Sequence, residues 1–199
     1  MPVQLADPIE AIQEPPLPRK TWSREEIEVL ESTGLFNDQH YELIEGELIS
    51  KMGKKRPHVE GVKRMGEALV SVFGAAYVNQ EAPIDIAPED NPRNEPEPDV
   101  IVLRRRSSEF TANPGPADLA LVVEVSESTL RQDRTTKARL YARAGIGEYW
   151  VLDVKGRRLL VFRDPGPDGY RVQLSFGELE SVSPLERPRD LIAVADLVG

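Results

Sequence analysis

The stretch LALVVEV at residues 119–125 limits the folds open to this chain more than any other feature. It does not alternate between apolar and polar positions, and its one polar member is Glu124. A strand that reads this way is buried on both faces, as in the middle of a sheet covered by helices. A second apolar run, DVIVL at 99–103, also carries a carboxylate, Asp99, at its start. Apolar strands normally exclude such groups, because a carboxylate at the end of a buried strand is costly to desolvate unless something compensates it.

The remaining pattern fits around these two strands. A helix is predicted over about 22–32, opened by the capping-box pair Ser23 and Glu26 and ended by Gly34, with Trp22, Ile27 and Leu30 on its packed side. YELIEGELIS at 41–50 reads as a hairpin around Glu45-Gly46. Residues 57–74 read as a helix, with Pro57 in its first turn and Val62, Met65, Leu69, Val72 and Phe73 at helical spacing. A strand is expected at 76–87, then a polar loop at 88–97. Residues 130–144 read as a helix stopped by Gly145, with Asp133 as a candidate cap. Strands follow at 149–154 and 158–164, and GPDG at 166–169 turns the chain into YRVQLSF. Helix, hairpin, helix, strands, helix and strands make an α/β fold with a mixed sheet flanked by helices. Pro-rich residues 1–20 read as an N-terminal arm before a single domain at 21–199.

Composition narrows the chemistry. The chain has no cysteine and two histidines, His40 and His58, which excludes thiolate metal sites and disfavours a His-rich zinc site. No apolar run approaches the roughly 20 residues that span a bilayer. The first 20 residues hold no signal-peptide core, so a cytoplasmic protein is expected. A net charge of −9 argues against a general nucleic-acid coat, but not against an enzyme with local basic clusters. Three such clusters exist: Lys51, Lys54, Lys55 and Arg56; Arg104 to Arg106; and Arg131, Arg134, Lys137, Arg139 and Arg143. Each is equally well read as a solvated face.

A divalent ion would compensate the strand carboxylates. Magnesium takes a few carboxylate oxygens, a carbonyl and water, and shares its remaining positions with phosphate. Asp99 and Glu124 supply the carboxylates in this reading, and the carbonyl of Val125 a third ligand. Lys137, on the helix after Glu124, would reach back to orient or help deprotonate a bound water and offset phosphate charge. The plain alternatives stand beside this: Asp99 as a turn residue after Pro98, Glu124 in a structural ion pair with Arg131 or Arg134, and Lys137 on the surface.

The segments PDVIVL, LVVEVSESTLRQDRTTKARLYARAGIGEYWVLD and YELIEGELI resemble the Uma2 family of restriction-endonuclease-like proteins, formerly a domain of unknown function, in the PD-(D/E)XK nuclease superfamily. The resemblance runs from about Trp22 to Phe176 and is densest from Leu121 to Asp153. It implies a restriction-endonuclease-like fold and magnesium-dependent hydrolysis of DNA, with manganese as a substitute. It also implies Asp99 and Glu124 as metal ligands and a homodimer. The superfamily often places a lysine two residues beyond the second acid. Ser126 stands there, and the resemblance assigns the amine to Lys137 on the next helix. Glu42 matches the glutamate of the hairpin motif and His58 a position near the second helix start, each with a site role or a structural one, helix capping in the case of His58. Arg131 and Arg134 are candidates for phosphate contacts. Gly145, Tyr149 and Trp150 are read as structural. A non-catalytic DNA-binding or protein-interaction module that keeps the fold is the competing expectation, and RNA the alternative substrate.

Overall fold

The computed structural model describes residues 19–37, 39–51, 53 and 55–199. The expected arm lies outside these except for Arg19 and Lys20, and so does Lys54 of the first basic cluster.

Helix α1 (Arg24–Ser32) begins at the predicted capping box: the Ser23 hydroxyl accepts from the Glu26 amide and the Glu26 carboxylate accepts from the Ser23 amide. Strands β1 (Tyr41–Ile44) and β2 (Glu47–Ser50) form the hairpin. Glu45 and Gly46 both have positive φ, 51° and 79°, the backbone of a two-residue hairpin turn. Gly46 is required twice, because a Cβ there would lie 2.8 Å from the Thr21 side chain while its carbonyl accepts from the Trp22 amide. Trp22 itself is only half-buried beneath Lys20 and belongs to neither core cluster, which corrects its expected core role.

Helix α2 (Arg56–Phe73) follows, then β3 (Val78–Gln80), β4 (Val100–Leu103) and β5 (Leu119–Ser126). The strand expected at 76–87 survives only as β3. Glu81 turns to positive φ, and Pro83 has no amide to donate, so the ladder stops. Ile84 and Ile86 are nevertheless buried, with their amides bonded to the Pro96 carbonyl and the Asn91 side chain.

Three consecutive helical pieces, Leu130–Gln132, Asp133–Lys137 and Ala138–Arg143, form one continuous helix, α3. Its middle piece is π-helical. Gly145, at φ 79°, ends it as predicted. Strands β6 (Glu148–Asp153), β7 (Arg158–Gly166) and β8 (Gly169–Gly177) complete a six-stranded sheet in the order β3-β4-β5-β6-β7-β8. Only β5 and β6 pair in parallel, because α3 carries the chain over the sheet between them. The C-terminal segment adds a two-stranded pair, β9 (Ser181–Val182) and β10 (Ile192–Ala193), and the short helix α4 (Val194–Val198). Buried Glu148 anchors it by accepting from the Leu185 amide, the Trp150 indole and Arg163.

The sheet separates two cores. Met65 and Leu69 of α2 pack on one face with Val123, Trp150 and Leu152, while Leu140 and Tyr141 of α3 pack on the other with Ile101, Val122 and Tyr149. Every residue of β5 is buried, as its composition requires. α2 lies close on β5 at Gly61, where a Cβ would come 2.8 Å from Val125 Cγ1. Gly61→Ala is therefore expected to lower stability by about 1–3 kcal/mol through overpacking, despite alanine's better helix propensity. Chemical denaturation measures this, and an unchanged or raised midpoint would contradict the packing argument.

Candidate active site

Val100 pairs with Val123 across β4 and β5, which sets Asp99 beside Glu124 on the face that α3 covers. The Val125 amide donates to Asp99 Oδ2 at 2.7 Å and fixes that carboxylate. On α3, Asp133, Lys137 and Tyr141 recur every fourth residue and turn inward, and all three are buried. Lys137 Nζ lies 2.8 Å from Glu124 Oε1, and 2.8 and 2.9 Å from the two oxygens of Glu42. Tyr141 also donates to Glu124 Oε1, at 3.0 Å. Glu42 comes from β1, outside the main sheet, and accepts from the Glu97 amide. The structure thus brings Asp99, Glu124, Lys137, Glu42 and His58 to one cavity of about 130 Å3. The ion-pair alternative for Glu124 holds in part: its partner is Lys137, not Arg131 or Arg134. A surface position for Lys137 does not hold, since 3 % of it is exposed.

His58 Nδ1 donates to the Val125 carbonyl at 2.8 Å, so its side chain ties α2 to β5 and does not cap α2, whose N-cap is Lys55. Its Nε2 stands 3.4 Å from Asp99 Oδ1, an ion-pair distance but without hydrogen-bond alignment. Both atoms are buried and have no hydrogen-bond partner.

Burial, with Asp99 and Glu42 nearby, pushes the Glu124 carboxyl up to about 8 against the pull of Lys137 and Lys51. Burial alone would lower Lys137, but Glu124, Glu42 and Asp133 outweigh it and hold the amine well above its ordinary range. Burial would likewise raise Asp99. The neighbouring His58 ring, Lys51 and the Val125 amide hold it at about 2 instead. The cavity therefore contains an ionised aspartate, a charged lysine and a glutamate that ionises reluctantly.

Sequence reasoning missed Lys51 as a member of this cavity. Its Nζ donates to the Glu97 carbonyl and lies 3.7 Å from Asp99 Oδ1. The signal was present: Lys51 stands two residues beyond Ile49, which pairs with Glu42, so strand alternation puts Glu42, Ile49 and Lys51 on one side. Asp133 is not the cap expected of it. It lies in the π-helical turn, and its carboxylate accepts from Thr129. Arg131 and Arg134 are not brought to this cavity. They point to the outer side of α3 and line a separate groove.

The donor set suits a hard cation. Asp99 Oδ1 is a buried carboxylate oxygen that accepts no hydrogen bond, Glu124 is its neighbour, and Val125, whose carbonyl accepts from His58, borders the same space. Among the described residues, no three His, Asp or Glu side chains are gathered to hold an ion by themselves. Any ion would depend on the carbonyl, water and phosphate for its remaining positions.

A six-stranded mixed sheet flanked by helices, with this carboxylate–lysine cavity beside β4 and β5, is an α/β architecture. The sequence matches the Uma2 family, described as "Putative restriction endonuclease", over residues 24–194, and the chain belongs to that family. Among solved structures it is similar to "a putative nuclease belonging to DUF820 from Anabaena variabilis ATCC 29413", with a TM-score of 0.62 and 16% identity. That match covers 79% of this chain and 89% of the other. At that identity the likeness establishes the fold. A comparison with curated proteins finds no match. No helix among the described residues is long and apolar enough to cross a membrane.

Proposed function

We propose that the protein is a magnesium-dependent endonuclease that hydrolyses DNA phosphodiester bonds, with Asp99, Glu124 and Lys137 at its centre. The observation that carries this reading is Asp99 Oδ1: a buried carboxylate oxygen that accepts no hydrogen bond and has only Lys51 and His58 at ion-pair distance, opening on a cavity that Glu124 and Lys137 also line. Asp99, Glu124 and the Val125 carbonyl would hold magnesium, or manganese in its place. The bound ion would lower the pKa of a water molecule and polarise the phosphate. Lys137 keeps Glu124 and Glu42 in place and sets positive charge beside the position of the scissile phosphate. Because its two glutamates favour its charged form, this reading gives it the orienting of the attacking water rather than its deprotonation. Glu42 and Tyr141 orient the lysine–glutamate pair, and His58 steadies the Val125 carbonyl. A homodimer belongs to the same reading, because two sites related by a two-fold axis address both strands of a duplex.

Incubation with supercoiled plasmid tests this. Nicked or linear product is expected with magnesium or manganese and none with chelator. The absence of product on duplex DNA, single-stranded DNA and RNA alike would overturn it. One observation favours the second reading, a binding module with an idle site: Lys137 already answers both glutamates without any ion. Titration calorimetry separates the two, since an idle site gives neither heat nor thermal shift with magnesium or manganese.

A further inference from the structure

The arginines of the third basic cluster do not act together. Arg143 is tied to Asp90 and Glu45, and Lys137 is buried. Arg131, Arg134 and Arg139 remain on the exposed side of α3. None of the three makes a side-chain hydrogen bond or ion pair among the described residues. Arg24, Arg157 and Arg163, by contrast, each hold a carboxylate. The three guanidinium groups line one groove of about 570 Å3 between α3 and β8.

This groove is connected to the site. The catalytic cavity shares Ile49 and Gln132 with a neighbouring depression, and that depression shares Thr136 with the arginine groove. The three hollows thus run in series from Asp99 around the N-terminal half of α3. Acidic groups along the way are Glu45 and Glu47, which face Arg143 and Arg19, and Asp168 at the far end.

We infer that this series of hollows is the track of a nucleic-acid strand, and that Arg131, Arg134 and Arg139 hold backbone phosphates on one side of the scissile bond. The inference rests on the nuclease reading and adds the path its substrate takes. From position 131 to 139 a helix rises ~12 Å. That spans about three and a half steps of ~3.4 Å axial rise, so about four successive phosphates of one strand. Guanidinium groups suit phosphate because they donate in a fixed, planar fork. The contacts are to backbone, so they position the strand without reading its sequence.

The test is fluorescence anisotropy on end-labelled duplex DNA, single-stranded DNA and RNA, with calcium replacing magnesium to prevent cutting. The triple variant Arg131→Gln, Arg134→Gln, Arg139→Gln should bind at least about tenfold more weakly, and its salt slope should fall by about 2. The charge-matched control Lys63→Gln, Arg64→Gln, Arg187→Gln, away from the groove, should bind as the parent does. The same selective loss on RNA would support the track equally and reassign the substrate. A parent that binds no nucleic acid overturns this inference together with the nuclease reading. A parent that binds, with the triple variant unchanged or no weaker than the control, overturns the track alone.

Discussion

Lys137→Met should cost about 3–5 kcal/mol of folding stability, far more than its loss from an exposed position would. The methionine fills much of the same volume, so the loss is electrostatic. Two buried carboxylates, Glu42 and Glu124, lose the cation that sits within 2.9 Å of both. The effect should depend on pH with a definite sign. Glu124 binds its proton more tightly in the folded protein, near 8, than at its ordinary value of 4.5. Its protonation favours folding fully below about 4.5, and that advantage is lost as the pH rises through about 8. Without the lysine the loss deepens, so urea denaturation at pH 9 should separate variant from parent more than at pH 5. Adding Glu42→Gln to the variant should recover part of the deficit. Equal stability of Lys137→Met and parent at pH 9 would mean that the lysine does not neutralise the pair.

Asp99→Asn should lower magnesium-dependent cleavage by at least about 100-fold, while the ion-free protein stays folded with its denaturation midpoint lowered by the loss of the charge that Lys51 and His58 face. The amide oxygen can still accept from the Val125 amide, so the β4–β5 junction is kept. What is lost is the negative charge facing the cavity, on the oxygen that accepts no hydrogen bond. A readout independent of cutting follows by linkage: an ion at 100 times its Kd stabilises the parent by about 2.7 kcal/mol, and that magnesium-induced gain should vanish in the variant. Cleavage at the parental rate, or an undiminished thermal shift, would remove Asp99 from the ion's surroundings.

The central strands were legible because burial on both faces leaves a continuous apolar run, and the two carboxylates stood out against it. Glu124 was conspicuous for that reason, and Lys137 followed from helical spacing once the strand was placed and from the family resemblance. The hairpin turn could be read from Glu45-Gly46, because few pairs adopt positive φ in succession. Lys51 was hidden among its basic neighbours, since charge runs carry no sign of which member turns inward. Ile84 and Ile86 misled in the other direction: their alternation mimics a strand, while the backbone bonds elsewhere, a tertiary fact that no local pattern records. The π-helical turn at Asp133–Lys137 was equally invisible, and it shifts the register that aims Lys137. The outward placement of Arg131 and Arg134 follows from the same helix period, but which side faced the sheet depended on where β5 ended.

Glu42 reaches the cavity on a hairpin that is not part of the main sheet and that meets the body through a bridge from Leu43 to Glu95, a few backbone bonds and the burial of Leu43 and Ile44. Its carboxylate on Lys137 adds a charged tie to that apolar seat. A polyanion that brings its own negative oxygens to the same lysine would compete with that tie while the apolar seat of the hairpin stays in place.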